Sequence, residues 1–262
     1  MPRTAVLFLL SAALPAQTTA PIPSDLRFEV ASLKRSTGDG RGGGIRPAPG
    51  GQRYQATGCS IRTMITAAYR VKADQVVGGP PWLDSELFDM DAKAEKASSA
   101  DELHVMLINM LKDRLQLQFH REKKEMAMYA LTVDKGGPKL RQHDAANGGE
   151  PWIEMSMAKF LHQKMTATSA PLDYFAFRLS QMMDRPVVDL TGLHGGYDFT
   201  LEYTRDLPPG FPDGGKINGE DPDTSGPTVF EAVRQQLGLA LKAQKGPVEV
   251  IVIDHAEKPS GN

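Results

Sequence analysis

Apolar residues follow the same succession of periods twice along this chain. The first succession begins with helical spacing of apolar positions over Ile61–Tyr69, and the second with the same spacing over Leu172–Met183. A β-branched pair follows each segment, Val76–Val77 in one copy and Val187–Val188 in the other. Residues at this spacing share one helix face. Both segments are therefore predicted to be helices that bury one side and lead into a short strand.

Each copy continues with an alternating strand and a second helix. Phe88–Ala92 and Tyr197–Leu201 alternate apolar and polar residues, which predicts strands with one buried face. Helical spacing returns over Leu103–Leu111 and over Val229–Leu237, where Phe230 is expected on the buried face.

A strand closes each copy. Met128–Val133 and Val248–Ile253 are rich in strand-forming residues. The polar segment Arg121–Glu125 and the turn Lys245–Pro247 are expected to lead into them. The sequence thus predicts an α+β protein of two tandem similar βαββαβ-type halves, each a small mixed sheet with two helices on one face.

The domain boundaries follow from the segments without periodicity. The first half is assigned to residues 28–140, a polar linker to 141–151 and the second half to 152–262. The second half is longer because of Thr204–Pro227, a segment rich in Pro, Gly and Asp that is expected to be a mobile surface loop. Phe28–Leu33 is expected to be a strand, followed by a glycine-rich loop over Ser36–Gly51.

The N-terminal residues have the pattern of an export signal. Arg3 precedes the apolar run Ala5–Leu14, and small residues follow up to Ala16. We expect a signal peptide over 1–16, a linker over 17–27, and a secreted or periplasmic mature protein. The run is too short for a stable membrane anchor, since a helix across the hydrocarbon core needs about 20 apolar residues.

Composition narrows the class of function. The chain has 262 residues, and its 30 basic and 32 acidic side chains leave a formal charge of -2. This balance argues against a nucleic-acid partner, which requires a strongly basic surface. The single cysteine, Cys59, excludes an intrachain disulfide framework and a multi-cysteine metal site.

Ten short motifs of the chain together carry a family resemblance. The motifs are Phe28–Lys34, Gly78–Asp84, Leu111–Leu115, His120–Glu122, Tyr129–Leu131, Lys135–Leu140, Arg185–Leu193, Gly196–Leu201, Gln236–Leu239 and Val252–His255. With them the chain resembles the uncharacterised "soil-associated" exported proteins of acidobacterial genomes. That family is a domain of unknown function, so the resemblance implies no catalytic residues. Some of its members resemble fusions to membrane-bound zinc metallopeptidases, which implies an extracytoplasmic sensing or partner-binding role.

Each half also resembles, more loosely, the N-terminal signalling domain of secretins and TonB-dependent receptors. Those small αβ domains bind protein partners without cofactors. The resemblance implies a protein or cell-envelope partner for this chain, although a shared pattern does not fix a function.

One motif could carry nucleophilic catalysis. Ser156 and Lys159 have the Ser-x-x-Lys spacing, which requires the serine at a helix start so that the lysine reaches its hydroxyl. The partner motifs of such enzymes are missing from the sequence, and a match of this kind is common by chance. We therefore expect no catalytic role for the pair.

The remaining candidates favour structural roles. The six histidines, at 104, 120, 143, 162, 194 and 255, contain no i, i+4 pair for zinc. Asp89 and Asp198 occupy equivalent places in the two halves and are expected to hold the turn before each strand. Gly38–Gly44 is expected to be a flexible loop rather than a phosphate cradle, because no helix follows it. Trp82 is expected to cover the core, with an exposed binding anchor as the alternative.

The acidic residues of the long loop, at 213, 220, 221 and 223, lack calcium-loop spacing and are expected to keep the loop solvated. The sequence thus predicts no catalytic, cofactor-binding or metal-binding residue. It favours an exported, non-catalytic binding domain of the cell envelope, and small sheets with open edges could recruit a partner strand. The alternatives are an extracytoplasmic sensor domain and an extracellular hydrolase with dispersed catalytic residues.

Overall fold

The computed structural model describes residues 23–38, 43–48, 51–144, 146, 148, 151–208, 210–212, 214–217 and 219–259. The expected signal peptide lies outside these residues, as do part of the linker expected at 17–27 and part of the glycine-rich loop. Everything below concerns the described residues.

The helices are distributed among the strands along the described part of the chain. The helices are α1 (Ile61–Tyr69), α2 (Trp82–Ser85), α3 (Ala100–Leu115), α4 (Leu172–Ser180) and α5 (Val229–Leu237), with one 3₁₀ turn at Ala73–Gln75. The strands are β1 (Val30–Arg35), β2 (Gly44–Pro47), β3 (Arg53–Ser60), β4 (Val76–Gly78), β5 (Leu87–Lys93), β6 (Gln118–Val133), β7 (Arg141–Gln142), β8 (Trp152–Met157), β9 (His162–Ala170), β10 (Val187–Asp189), β11 (Tyr197–Thr204) and β12 (Leu239–His255).

The strands form three four-stranded sheets. The N-terminal sheet has the order β1-β5-β3-β2 and the C-terminal sheet the order β7-β11-β9-β8, and both are antiparallel. The central sheet has the order β10-β6-β12-β4 and is mixed. By place in the chain, β1, β5, β3 and β2 correspond to β7, β11, β9 and β8. A tandem duplication would give this correspondence, and the duplication itself stays a prediction.

The two halves exchange strands in the central sheet. β4 from the first half runs parallel to β12 from the second, with Ile251 opposite Val76. β10 from the second half runs parallel to β6 from the first, with Tyr129 opposite Val187. The α+β class is confirmed, but the described residues form one mixed sheet shared by both halves instead of a separate one in each.

Two segments that we expected to be turns or connections lie inside strands. Arg121–Glu125 belongs to β6 and Lys245–Pro247 belongs to β12, because these two long strands pair antiparallel along nearly their whole length. Neither β4 nor β10 pairs with this middle part of the ribbon. Pro247 lacks an N–H, and such a free edge tolerates it.

The hydrophobic core has two main parts that also cross between the halves. The N-terminal core is built around α1 and α3 and includes Ile251 and Ile253 from β12. The C-terminal core is built around α4 and α5 and includes Leu131 from β6. Each half therefore completes the core of the other.

The long loop after β11 is attached to the C-terminal sheet at its end. The backbone N–H of Thr204 donates to the Pro227 carbonyl at 2.8 Å, and Ile217 bridges to Glu220. Residues 209, 213 and 218 of the loop lie outside the described part. The mobility that we expected for 204–227 stays a prediction.

Candidate functional site

A cleft of about 680 Å³ lies beside the C-terminal sheet, where the long loop leaves it. Its volume is in the range of small-molecule sites, roughly 300–1,000 Å³. The end of α4, the start of α5, the turn between β8 and β9 and the first residues of the long loop surround it. The lining residues are Met157, Phe160, Leu161, Met182, Met183, Asp184, Tyr203, Thr204, Arg205, Asp206, Leu207, Pro208, Thr228, Val229 and Phe230.

Exposed apolar side chains are concentrated at this cleft. Seven large hydrophobic residues are exposed in the described part of the chain, and four of them line the cleft. The exposed fractions are 63% for Met157, 48% for Phe160, 37% for Met182 and 40% for Phe230. Scattered apolar residues are normal on a protein surface, whereas a concave cluster marks an interaction site.

Contacts from neighbouring elements fix the walls of the cleft. Tyr203, on β11, donates its phenolic hydrogen to the sulfur of Met182 at 3.0 Å. Thr228 caps the N-terminus of α5 and so helps to fix the position of Phe230, the second residue of that helix. The ring of Phe230 packs edge-to-face against Tyr129 of the central sheet, with the ring centres 5.3 Å apart. The apolar walls are therefore held in place without a ligand.

The corresponding place in the first half is closed by backbone hydrogen bonds. There the connection from β5 to α3 is short, and the N–H of Ser98 donates to the Gly51 carbonyl at 2.9 Å. A side chain at Gly51 would meet the Ser98 carbonyl at 2.6 Å, so the two segments are in close contact. In the second half, the long insertion between β11 and α5 replaces this short connection, and Leu207 and Pro208 from it line the cleft.

A chain of polar side chains next to the cleft has the appearance of a catalytic triad. Thr204 Oγ1 lies 3.3 Å from His162 Nδ1, and His162 Nε2 lies 3.1 Å from the Asp223 carboxylate. However, the Thr204 hydroxyl donates its hydrogen to the Ser225 carbonyl at 2.6 Å. A nucleophile must instead donate to its base. Thr204 is also buried, so this arrangement closes the loop instead of activating a hydroxyl.

Asp223 is the centre of that closure. Its carboxylate accepts hydrogen bonds from the Ser225 side chain and from Lys159, and these bonds hold its pKa far below the ordinary value. We expected Asp223 only to solvate the loop, together with its acidic neighbours. The structure shows that it also ties the loop end to the turn between β8 and β9.

The Ser-x-x-Lys pair does not form a catalytic arrangement. Ser156 lies on β8, whereas the motif needs the serine at a helix start. Lys159 pairs with Asp223 at 3.1 Å and so serves the loop.

Two of the histidines have both ring nitrogens occupied. His143 lies 2.8 Å from Asp198 through Nδ1 and 2.9 Å from the Gly148 carbonyl through Nε2. Because both partners are acceptors, the ring has to donate from both nitrogens and is cationic in this geometry. His120 likewise donates to the Asp254 and Glu122 carboxylates from its two ring nitrogens, and these hydrogen bonds raise its pKa. Neither side chain is available as a general base.

A third histidine is inside the N-terminal core. Burial lowers the pKa of His104 to about 4, so this ring is neutral at ordinary pH. It packs edge-to-face against Tyr54, with the ring centres 5.6 Å apart. The described residues contain no group of three or more His, Cys, Asp or Glu side chains that could hold a metal ion.

Asp89 and Asp198 do not form a carboxylate pair. They lie in different sheets, and each accepts a hydrogen bond from a backbone N–H of the neighbouring strand.

Trp82 packs on the N-terminal core and lies edge-to-face with Phe88, as expected for a side chain that covers the core. Cys59 is buried and unpaired.

Sequence reasoning did not find the cleft. We expected Phe230 on the buried face of α5 and Met183 inside the preceding helix, but Phe230 is 40% exposed and α4 ends at Ser180. The available signal was the group of apolar residues beside polar turns, Met157, Phe160 and Met182, which have no place in any period.

Comparisons with known proteins identify the family without a function. A family model described as a protein of unknown function (DUF3738) matches residues 62–256. Searches of the curated proteins and of the solved structures found no match. In the part of the chain that the structure describes, no helix is long and apolar enough to span a membrane.

Proposed function

This chain belongs to the DUF3738 family of proteins of unknown function, and we propose that it is an exported, non-catalytic binding protein of the cell envelope whose ligand occupies the apolar cleft. The ligand is a small molecule with an apolar part. The observation that carries the proposal is the convergence of Met157, Phe160, Met182 and Phe230 on one cleft.

The free energy of apolar burial supports this assignment. Removing apolar surface from water is worth about 25 cal/mol per Å², and a fully buried large side chain gains about 1.5–3 kcal/mol. The four side chains are 37–63% exposed in the free protein, so they gain only part of this free energy, and a ligand that covers them supplies the remaining contacts. Methionine suits such a site because its side chain adapts to different shapes.

The hydroxyl groups of the cleft support a non-catalytic role. Thr204 donates to the Ser225 carbonyl, and Thr228 donates to Glu231 at 2.9 Å in the cap of α5. Neither is paired with a free base. Substrate turnover by the cleft would require one of them to leave its present partner.

Binding is tested by titrating the full-length protein with Nile red, a neutral apolar dye, and following its fluorescence. Phe230→Gln and Met157→Gln are expected to weaken binding about tenfold, since each removes one or more kcal/mol of apolar contact. Leu190→Gln and Val30→Gln are the matched controls, because both residues are exposed but do not line the cleft. Equal affinity in all five proteins would refute the proposal.

A second measurement separates binding from catalysis. The full-length protein is incubated with p-nitrophenyl esters, and we expect no hydrolysis above the rate in buffer. Hydrolysis that disappears in Thr204→Val would replace the binding proposal with the hydrolase alternative.

Export is tested by fusing residues 1–27 to a reporter enzyme that is active only outside the cytoplasm. We expect activity, and we expect N-terminal sequencing of the product to show cleavage after Ala16. Changing two leucines of the apolar run to arginine should abolish the activity, because the run must enter the translocation machinery. An inactive, uncleaved fusion would remove the export part of the proposal.

A further inference from the structure

The outer edge of β8 presents backbone groups to which no other strand is bonded. β8 is the last strand in the order β7-β11-β9-β8, and within the described residues it pairs only with β9. The N–H of Ala158, just after β8, donates to the His162 carbonyl of β9 at 3.0 Å, which marks a hydrogen-bonded pair. Every second residue before Ala158 is bonded to β9 in the same way. The residues between them, Ile153, Met155 and Met157, therefore direct their N–H and C=O groups toward the open edge.

The next strand of the sheet has the matching hydrogen-bond pattern. Glu202 on β11 lies opposite Lys164 on β9, but its N–H donates to Gln236 Oε1 at 3.0 Å and its carbonyl accepts from Gln236 Nε2 at 2.7 Å. The backbone groups of Glu202 thus point away from β9. Those of Lys164 consequently point away from β11 and toward β8, as the pair of Ala158 with His162 requires.

β8 lacks the features that usually protect an edge strand. Such strands are commonly short, or they carry Pro, Lys or a bulge that blocks a further strand. β2, which has the corresponding place in the N-terminal sheet, is four residues long and contains Arg46 and Pro47. β8 has six residues, and Glu154 is its one charged residue. Its two ends are apolar and accessible, since Trp152 is 55% and Met157 63% exposed.

The strand is complementary to itself in one antiparallel register. When two copies of β8 pair about a twofold axis at Met155, Met155 faces Met155 and Ile153 faces Met157 of the other copy. All of these are hydrogen-bonded pairs, because they join the residues whose backbone groups point to the edge. Glu154 then lies opposite Ser156. An axis at Glu154 would instead place two carboxylates directly opposite each other, which is destabilising.

Charge across this edge is complementary as well. On the exposed face of the sheet, Lys164 lies between Ser156 on β8 and Glu202 on β11, and its Nζ is 3.3 Å from the Glu202 carboxylate. In the paired register, Glu154 of the second copy follows Ser156 in the same row. Because Ser156 is small and uncharged, the Lys164 ammonium is flanked by a carboxylate on each side. The twofold axis gives this arrangement twice.

We propose that a second copy of this chain occupies the β8 edge, antiparallel and centred on Met155, so that two C-terminal sheets join into one of eight strands. This inference goes beyond the proposed binding function and does not depend on it. A six-residue edge is smaller than the interface of a permanent dimer, so we expect a dissociation constant on the order of 1–100 µM.

Sedimentation equilibrium of the full-length protein, from about 1 to about 500 µM, measures the dimer. Ser156→Glu should weaken it at least about tenfold, because it places a carboxylate opposite Glu154 of the second copy at two symmetric positions. Within one copy the new carboxylate lies beside Lys164, so the urea midpoint should not fall. Thr200→Glu is the matched control, since Thr200 is exposed on the same face but lies on β11.

Disulfide trapping tests the register, because the single cysteine of the chain, Cys59, is buried. Met155→Cys should give a covalent dimer when oxidised by air with a copper catalyst, since Cα atoms of a hydrogen-bonded pair are about 5.5 Å apart, within disulfide range. Glu154→Cys should give much less, because the two cysteines would be diagonal neighbours about 7–8 Å apart.

The outcomes decide between the possible occupants of the edge. A protein that is monomeric at every concentration overturns the proposal and leaves a strand of another protein as the occupant. A dimer that Ser156→Glu does not weaken also overturns it, because the copies then meet elsewhere. More covalent dimer from Glu154→Cys than from Met155→Cys overturns the register. Loss of the dimer in Ser156→Glu, at an unchanged urea midpoint and with Thr200→Glu still dimeric, supports the pairing.

Discussion

Asp198 and Ser169 are joined by a hydrogen bond in which the backbone N–H of Ser169 donates to Asp198 Oδ1 at 2.9 Å. Ser169 has a φ of 50°, in the left-handed region that side chains other than glycine rarely adopt, and it lies where the pairing of β9 with β11 is irregular. Asp89 makes the equivalent contact with Gly58, whose N–H donates at 2.7 Å and whose φ is 57°. In both outer sheets a carboxylate thus holds a bulge in the neighbouring strand.

Removing either carboxylate should destabilise the fold. We expect Asp198→Ala and Asp89→Ala each to lower the free energy of unfolding by about 1–3 kcal/mol, because a partly buried backbone N–H loses its acceptor. Urea denaturation measures the change, with Asp206→Ala on the exposed rim as the control. A loss no larger than that of the control would show that the bulges do not need their carboxylates.

The backbone conformation at the two bulges predicts opposite effects of glycine and alanine. Ser169→Gly should be neutral or stabilising by up to about 1 kcal/mol, because glycine adopts a positive φ without strain. Gly58→Ala should cost about 1–2 kcal/mol, because alanine introduces that strain. The same urea titrations check both variants. A destabilising Ser169→Gly would mean that the serine side chain contributes more than its backbone costs.

The pair of His143 with Asp198 gives stability a specific pH dependence. The hydrogen bond to Asp198, together with that to the Gly148 carbonyl, raises the pKa of His143 above its ordinary value. Burial alone would raise the pKa of Asp198, but bonds from the Ser169 amide, His143 and Arg141 outweigh it and lower that pKa. The contribution of His143 to the free energy of unfolding is therefore complete below about pH 6.5 and is lost as the pH rises through its raised pKa. The contribution of Asp198 is complete above about pH 4 and is lost as the pH falls through its lowered pKa.

His143→Gln isolates the histidine contribution. The difference in urea midpoint between the unmodified protein and this variant should be constant from pH 5 to 6 and should shrink as the pH is raised to 9. His194→Gln is the matched control, since the structure gives its ring no ion pair within the described residues. A difference that grows with pH would contradict the cationic state of His143.

The sequence predicted the local elements well and their pairing poorly. The apolar spacing marked Ile61–Tyr69 and Val229–Leu237, and both helices have these bounds, because one buried face gives a period that is visible locally. The same logic missed the middle of β6, since Arg121–Glu125 is exposed on both faces of a two-stranded ribbon and shows no alternation. Strand exchange between the halves depends on residues far apart in the chain, which no local period encodes.

The cleft was missed for a related reason. Its residues come from four separate segments. The sequence of the first segment shows only that Met157 and Phe160 stand beside a turn. Whether such a residue is covered depends on the insertion between β11 and α5, which has no periodicity. In contrast, the structural roles expected for Asp89 and Asp198 rested on their equivalent positions, and both side chains contact the neighbouring strand as a holding role requires.

Lys72 couples the first half to a wall of the cleft. Its Nζ donates to the carbonyls of Met183 at 2.6 Å and Ser180 at 3.2 Å, at the C-terminal end of α4. A cation is favourable at that end of a helix. Lys72→Met should lower the free energy of unfolding by about 1–2 kcal/mol and weaken Nile red binding, because Met182 and Met183 lose their support. Lys96→Met, on an exposed turn, is the control and should change neither the stability nor the dye affinity. An unaltered dye affinity in Lys72→Met would show that this contact does not support the cleft wall.

The exchange of strands predicts that the halves do not fold alone. Fragments 28–140 and 141–262, expressed separately, should lack cooperative urea unfolding and near-ultraviolet circular dichroism, because the first lacks Ile251 and Ile253 and the second lacks Leu131. Mixing them should restore both signals. In the intact chain, Ile251→Ala should lower the free energy of unfolding by about 2–5 kcal/mol, as is typical of buried isoleucines. Val30→Ala, at an exposed site, is the control and should change it little. Cooperative unfolding of either isolated fragment would show that its own core suffices, and that the shared central sheet joins two domains that are already stable.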